Sequence, residues 1–173
     1  RIADRRHHWG AETGLGGLIG KAILQGLSGY PYLCPDMIGG GMFTVFGADG
    51  QIDRELMIRY AQASALMPMM QFSYPVWQDP ELKDICLDMA KLHLRFGPYI
   101  LALAERAAKT GEPILRSMDY RHTRMPWTAD QFMLGENVVA APVLEKGVRR
   151  RKVLLPPGEW CYLSGNKVIS VKE

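Results

Sequence analysis

Residues 18–41 read LIGKAILQGLSGYPYLCPDMIGGG, a helix-like segment followed by a strand-like segment and a glycine loop. Apolar residues recur at three- and four-residue spacing from residue 14 to residue 27, which predicts an amphipathic helix that ends at Ser28-Gly29. Tyr30 to Pro35 is a short apolar and aromatic run between turn formers, which predicts a buried strand. Asp36 therefore stands at the carboxyl end of that strand, directly before the glycine loop.

Two further helices and a strand are predicted after this unit. Residues 53–70 and residues 80–109 both have helical periodicity, and the second pattern is the strongest in the chain. Gly97-Pro98 is expected to break or kink the second helix. Residues 113–118 predict another short strand. Strands joined by helices are typical of βαβ units, so we expect these strands to be parallel.

The pattern changes near residue 135 to short strand-like segments separated by turns. They cover residues 138–144, 151–155 and 160–162, which favours an antiparallel β-domain. Neither part is complete, because a (β/α)8 barrel takes roughly 250 residues. We therefore predict an α/β chain in which residues 1–137 form the C-terminal part of a (β/α)8 TIM barrel. Residues 138–173 are predicted to begin an antiparallel β-domain.

Composition excludes several classes of protein. The 173 residues are 47% hydrophobic and 23% charged, which is typical of a folded globular protein. The net charge of +3 is too small to favour nucleic acid as a partner, and no apolar run approaches the roughly 20 residues of a membrane helix. The three cysteines lack the spacing of a metal site, so we expect no metal and no cofactor. Because the chain begins at Arg1, we expect either a removed leader or a start inside a longer protein.

Acidic and aromatic residues near strand ends are the candidates for chemistry. Asp36 could serve a site at the carboxyl ends of barrel strands or could order the glycine loop, and the residues alone favour neither. For Asp4, a frayed terminal charge is the simpler interpretation. The His7-His8 pair lacks a third metal ligand. Aromatic residues beside carboxylates suit a sugar, although core packing would explain about half of them; they are Trp9, Phe72, Tyr74, Trp77 and Trp127.

Four segments of the chain carry a family resemblance. They are GLSGYPYLCPDMIGGG, RYAQASALMPMMQFSYPVW, GEPILRSM and QFMLGENVVAAPVLEKGVRRRKVLLPPGEW, at residues 26–41, 59–77, 111–118 and 131–160. They resemble segments of glycoside hydrolase family 31, the α-glucosidase and α-galactosidase family, and they occur in the family's order. The last is long and specific, and together they span nearly the whole chain. The resemblance implies a retaining hydrolase of terminal α-linked sugars, either α-galactosides or α-glucosides.

The resemblance also implies roles for individual residues. In one subgroup of the family, the acid/base aspartate lies in an Arg-x-x-Asp-Lys segment upstream of Pro-Asp-Met-Ile-Gly-Gly. Asp4 fits that place, with Arg5 where lysine is usual, so Asp4 is the expected general acid/base. We expect the guanidinium groups of Arg5 and Arg6 to turn away from its carboxyl group. The nucleophile of the family lies on an earlier strand, and we expect it upstream of this chain.

The expected sugar pocket is lined by Asp36, Gln71, Ser73 and Trp77. Ser73 stands where typical α-glucosidases have a histidine that contacts the sugar, which favours a galactoside or another glycan. Carbohydrate is the expected partner. Two alternatives remain open: a catalytically inactive homologue that binds carbohydrate or serves a structural role, and a small α/β binding domain with an incidental resemblance.

Overall fold

The computed structural model describes residues 7–41, 51–165 and 167–172 of the chain. Three α-helices and five short strands are present in these ranges. They are α1 (Leu18–Leu27), α2 (Arg54–Ser64), α3 (Lys83–Thr110), β1 (Leu115–Arg116), β2 (Phe132–Leu134), β3 (Val138–Ala140), β4 (Gly158–Cys161) and β5 (Val168–Val171). Single 3-10 turns cover Leu15–Gly17 and Val76–Gln78.

Helix α1 confirms the helix predicted in the opening stretch. Its apolar face, which includes Leu18, Ile19 and Ile23, is fully buried. Glycine lowers helix propensity, but its presence at position 26 of α1 is explained by packing. A β-carbon on Gly26 would lie 3.1 Å from the β-carbon of Pro113, so glycine allows α1 to lie close against the chain that enters β1.

The strand predicted at residues 30–35 is wrong. Leu33 and Cys34 are buried as expected, but residues 30–35 belong to no described strand. Pro31 and Pro35 have no N–H groups to give to a neighbouring strand. The described parallel pairing in this region is an isolated bridge between Ile38 and Phe72, just beyond the predicted strand.

Helix α2 ends before the predicted position, whereas α3 continues past the predicted break. Helix α2 stops at Ser64 rather than near residue 70, and Pro68 disfavours helical backbone in the residue before it. Helix α3 runs through Pro98 without interruption. Pro98 is exposed, and so is Leu94, whose carbonyl group loses its helical donor. Water can therefore take the place of the missing N–H group.

The strands form two antiparallel groups. Strands β1, β2 and β3 form a sheet in that order, with Leu115 opposite Leu134 and Met133 opposite Val139. The expectation that the strand at residues 113–118 is parallel to its neighbour is therefore wrong, because β1 pairs with the next strand in the chain through an antiparallel ladder. Strands β4 and β5 form a separate hairpin. Residues 151–155 belong to no described strand.

The core lies between α1, α2, α3 and the first sheet. Leu15, Ile23, Met57, Leu115 and Phe132 are all at most 2% exposed within it. Among the residues that the structure describes, no helix is both long enough and apolar enough to cross a bilayer.

Candidate functional site

The glycine loop at residues 36–41 and the segment at residues 71–73 lie against each other. The amide of Ile38 donates to the carbonyl oxygen of Gln71 at 2.7 Å, and the amide of Ser73 donates to the carbonyl oxygen of Ile38 at 3.0 Å. These bonds form the parallel bridge between Ile38 and Phe72. Two segments singled out by the sequence are therefore joined directly, although α2 separates them along the chain.

The contact between these segments requires glycine at position 39. Gly39 has a φ of +107°, and a β-carbon there would lie 2.6 Å from Ser73 Oγ. The Ser73 hydroxyl donates to the carbonyl oxygen of Ile38 at 3.2 Å. Ser73 therefore fixes the glycine loop, and its side chain remains exposed on the other side.

Asp36 begins this loop in an unusual conformation. Its φ is +94°, in the left-handed region that aspartate tolerates better than most residues, and its side chain is 1% exposed. A non-glycine residue in this region costs on the order of 1–3 kcal/mol, and such residues cluster at active sites. Asp36 thus combines a buried carboxyl group with a strained backbone at the start of the loop.

Gln71 and Trp77 lie at the surface of the same region. Gln71 is exposed, and Trp77 is 65% exposed on the 3-10 turn Val76–Gln78. The indole ring is therefore available for contact with a ligand and does not belong to the core. Their contact with sugar, like that of Asp36 and Ser73, stays a prediction.

The expected acid/base residue falls in residues 1–6, outside the described residues. Asp4, Arg5 and Arg6 all lie there, so their roles and the orientation of the two guanidinium groups also stay predictions. The described chain starts at His7, three residues after Asp4.

The segment that follows Asp4 in the chain is held against α2. The ring of His7 stacks on that of Tyr60, with centroids 5.0 Å apart and planes 27° apart. Burial lowers the pKa of His7 to about 4, against a smaller opposing effect of the Asp53 carboxylate. His7 is therefore neutral at pH 7. Trp9 Nε1 donates to Asp53 Oδ2 at 2.9 Å.

Asp53 is a functional candidate that sequence reasoning missed. It precedes α2, and its Oδ1 accepts from the amide of Leu56 at 3.1 Å, as an N-cap residue does. Its Oδ2 accepts from Trp9 and also from Lys146 Nζ at 2.8 Å. Burial alone would raise the pKa of Asp53, but these hydrogen bonds together lower it. Aspartate before a helix is a recognisable cap in sequence, whereas the bonds to Trp9 and Lys146 have no sequence signal.

The histidine pair shows no metal-binding arrangement. His8 Nδ1 accepts from the amide of Gly10 at 2.9 Å, and His8 Nε2 lies 2.9 Å from Thr13 Oγ1. Within residues 7–41, 51–165 and 167–172, no group of three or more His, Cys, Asp or Glu side chains is placed to hold a metal ion.

Two clefts lie away from the predicted site. One of about 410 Å³ includes Arg116 and Tyr120, another of about 540 Å³ includes Arg124 and Lys172, and Arg121 and His122 border both. Neither is lined by Asp36, Gln71, Ser73 or Trp77. The Arg116 guanidinium is 2% exposed and binds Glu112 and Glu136, so its charge is already matched within the chain.

Comparison with known proteins identifies the family. Residues 111–173 match the model of the glycosyl hydrolase family 31 C-terminal domain. The mouse myogenesis-regulating glycosidase is 38% identical over 95% of this chain. The chain belongs to glycoside hydrolase family 31. Residues 35–40 resemble the Pro-Asp-Met-Ile-Gly-Gly pattern of one subgroup of the family, and that subgroup is named after this relative.

Two further similar proteins are consistent with this placement. The SITS-binding protein of Tetronarce californica is 31% identical over 90% of the chain. A family 31 α-xylosidase from a soil metagenome, solved with xylose, superposes over 99% of the chain with a TM-score of 0.85 at 23% identity, which shows a shared fold. The chain covers 24%, 22% and 29% of these three proteins, so it spans about a quarter of their length.

Proposed function

We propose that the whole protein is a retaining α-glycoside hydrolase that acts on terminal α-linked sugars, either α-galactosides or α-glucosides. The observation that carries this proposal is the Ile38–Phe72 bridge, because it joins two of the segments that resemble the family and that contain the proposed pocket residues. Family membership supports the reaction class, since other relatives are named as sulfoquinovosidase, α-xylosidase and α-glucosidase.

In this proposal Asp4 is the general acid/base. A retaining glycosidase places two carboxyl groups about 5–5.5 Å apart on either side of the glycosidic bond. Asp4 donates a proton to the leaving oxygen while a carboxylate from an upstream part of the protein attacks the anomeric carbon. Asp4 then takes a proton from the water that hydrolyses the glycosyl-enzyme.

The proposed sugar pocket contains Asp36, Gln71, Ser73 and Trp77. Trp77 is a candidate stacking platform because its ring is largely exposed beside the bridged segments. Ser73 is smaller than the histidine that typical α-glucosidases have at this place, which leaves room for a different arrangement of sugar hydroxyl groups. We therefore favour a galactoside or another glycan over a plain α-glucoside.

For the whole protein we propose the barrel and β-domain described above. Residues 1–137 would form the C-terminal part of a (β/α)8 barrel, and residues 138–173 would begin the β-domain. The match to the family's C-terminal domain model covers residues 138–173 but begins at residue 111, before the proposed boundary. The hairpin of β2 and β3 joins residues on both sides of the proposed boundary.

The decisive experiment replaces Asp4 in the whole protein. Asp4→Ala is assayed with methyl and 2,4-dinitrophenyl α-glycosides of galactose and glucose. We expect hydrolysis of the methyl glycoside to fall by about 10²–10⁴-fold, because its alkoxide leaving group needs a proton. Dinitrophenolate leaves without one, so that substrate still forms the glycosyl-enzyme, and azide should then restore turnover by attacking it without help from a base. The product should be the α-glycosyl azide, with retained configuration.

Asp84→Asn serves as the control, because Asp84 is an exposed carboxyl group in the first turn of α3. It should keep wild-type rates with both substrates. A wild-type protein with no activity on any of the four glycosides would overturn the proposed reaction. An Asp4→Ala variant with unchanged rates would move the acid/base role to another residue.

A second candidate function is a catalytically inactive homologue that binds its ligand without hydrolysing it. The relative that favours it is the SITS-binding protein, which is named for binding and not for hydrolysis. The whole protein would then bind sugar in a calorimeter but give no turnover, and its upstream nucleophile position would lack a carboxylate.

A further inference from the structure

The carboxylate of Asp53 joins three parts of the chain. Its Oδ2 accepts from Trp9 Nε1 at 2.9 Å and from Lys146 Nζ at 2.8 Å, while its Oδ1 caps α2 through the amide of Leu56. Trp9 and Lys146 lie 44 and 93 positions from Asp53 in sequence. One partly buried side chain thus links the N-terminal segment, α2 and the region beyond β3.

The loop at residues 146–148 is held on α2 at two further points. The amide of Gly147 donates to Glu55 Oε1 at 2.9 Å, and Arg59 donates to the carbonyl oxygen of Val148 at 2.8 Å. These bonds use the first two turns of α2. Lys146 therefore reaches Asp53 from a loop whose backbone is already docked, which reduces the entropy lost in holding a long side chain.

The Trp9 backbone is hydrogen-bonded to the segment just before α1. The amide of Leu15 donates to the carbonyl oxygen of His8 at 2.9 Å, and the amide of Gly16 donates to that of Trp9 at 3.2 Å. With its indole N–H bound to Asp53, Trp9 is fixed through both its backbone and its side chain. Asp4 precedes Trp9 by five residues in the sequence.

We propose that Asp53, held by Lys146, is a positioning residue that fixes Trp9 and through it the segment carrying the general acid/base. This inference rests on the proposed function, since Asp4 must be that acid/base. It makes the loop at residues 146–148, within the proposed β-domain, part of the apparatus that orients the acid. A displacement of about 1 Å in such a group can cost on the order of 100-fold in rate.

The competing explanation is that Asp53 only caps α2. The two explanations can be distinguished by comparing substrates whose leaving groups do and do not need a proton. A misplaced acid/base lowers kcat/KM for substrates whose leaving group needs a proton. It leaves kcat/KM for activated substrates almost unaffected, because that ratio reports the formation of the glycosyl-enzyme and not its hydrolysis. A loosened fold slows both kinds of substrate to the same extent.

The test uses three variants of the whole protein. Trp9→Phe removes the indole N–H and keeps a ring, Asp53→Ser keeps a cap for α2 but is too short to reach Trp9, and Lys146→Met keeps the stem and loses the charge. Each is assayed for kcat and KM with the methyl and the 2,4-dinitrophenyl glycoside of the preferred sugar. We expect kcat/KM for the methyl glycoside to fall about tenfold or more, mainly through kcat, and that for the dinitrophenyl glycoside to change less than about threefold.

Arg54→Met is the matched control. Arg54 also makes an ion pair at the start of α2, with Asp79 at 3.0 Å, but none of its described hydrogen bonds or ion pairs involves Trp9, Lys146 or the Asp53 carboxylate. Loss of the Arg54 guanidinium should change kcat/KM for the two substrates by the same factor. Thermal melting of every variant shows whether a lost activity reflects unfolding.

Asp4→Ala, measured in parallel, separates a failure of this inference from a failure of the proposed function. If Asp4→Ala discriminates between the leaving groups and the three variants slow both substrates equally, Asp53 is only a helix cap and the positioning role is overturned. If Asp4→Ala does not discriminate, the proposed acid/base role is overturned, and the positioning role with it.

Discussion

At the scale of single residues, the glycine loop depends on the close packing of the Ser73 side chain against Gly39, which has no side chain. Ser73 Oγ occupies the space that a β-carbon on Gly39 would need, and its hydroxyl binds the neighbouring carbonyl group of Ile38. Asp36 starts the same loop in the left-handed region. The loop is therefore specified by three residues whose roles depend on one another.

We expect Gly39→Ala to lower the free energy of unfolding by about 2 kcal/mol, from backbone strain and from the contact with Ser73. Gly41→Ala is the control, because within the described part of the chain, its own chain neighbours aside, no atom lies within 4 Å of its β-carbon position. Urea denaturation of both variants of the whole protein measures the difference. In a Ser73→Ala background the cost of Gly39→Ala should shrink towards the strain alone, about 1 kcal/mol; an unchanged cost would mean that the contact is unimportant.

At the scale of elements, Arg116 anchors β1 to its surroundings. Its Nε donates to the carbonyl oxygen of Pro113 at 3.0 Å, and its two terminal nitrogens bind Glu112 and Glu136 at 3.2 and 3.1 Å. The hydrogen bond from Arg116 is the main reason why the pKa of Glu136 is lowered. A fully buried guanidinium group is tolerated here because all three of its nitrogens are bound.

In the whole protein, Arg116→Met should cost about 2 kcal/mol of stability, because it removes three hydrogen bonds at a residue that is 2% exposed, while Arg106 and Arg121 still bind Glu112. Arg106 binds the same two glutamates from a position that is 46% exposed, so Arg106→Met should cost at most about 1 kcal/mol. Equal losses in urea denaturation would show that burial does not set the cost.

The helices show where local pattern suffices and where it does not. The periodicity of residues 80–109 predicts α3 almost in full, because helical hydrogen bonds are local. The strand predicted at residues 30–35 is wrong, because a strand also requires a partner for its ladder and periodicity carries no information about that partner. The position of β1 was predicted and its antiparallel pairing was not, for the same reason.

At the scale of the whole molecule, α3 presents an apolar stripe to solvent. Leu87, Leu94 and Leu101 follow one another at seven-residue spacing and are 46%, 76% and 60% exposed. Residues at this spacing lie on one face of a helix. In a chain that spans about a quarter of its relatives, such a face indicates apolar surface that the 173 residues do not cover.

We expect the 173-residue chain on its own to self-associate and to unfold without a sharp transition, because exposed apolar surface drives association. Leu94→Lys with Leu101→Lys should reduce light scattering severalfold. Ala102→Lys with Asp88→Asn adds the same net charge at other exposed positions of α3 and should have a smaller effect. A monodisperse wild-type chain with a cooperative melt would contradict this expectation.

Amphipathic helices and the family motifs could be predicted from the sequence alone, since both are patterns of near neighbours along the chain. The tertiary structure alone revealed that Ile38 pairs with Phe72 and that Asp53 binds Trp9 and Lys146. Those contacts join residues 34 to 93 positions apart, and their existence depends on how the helices pack. Local periodicity determines which elements form, whereas packing of distant elements determines which side chains meet.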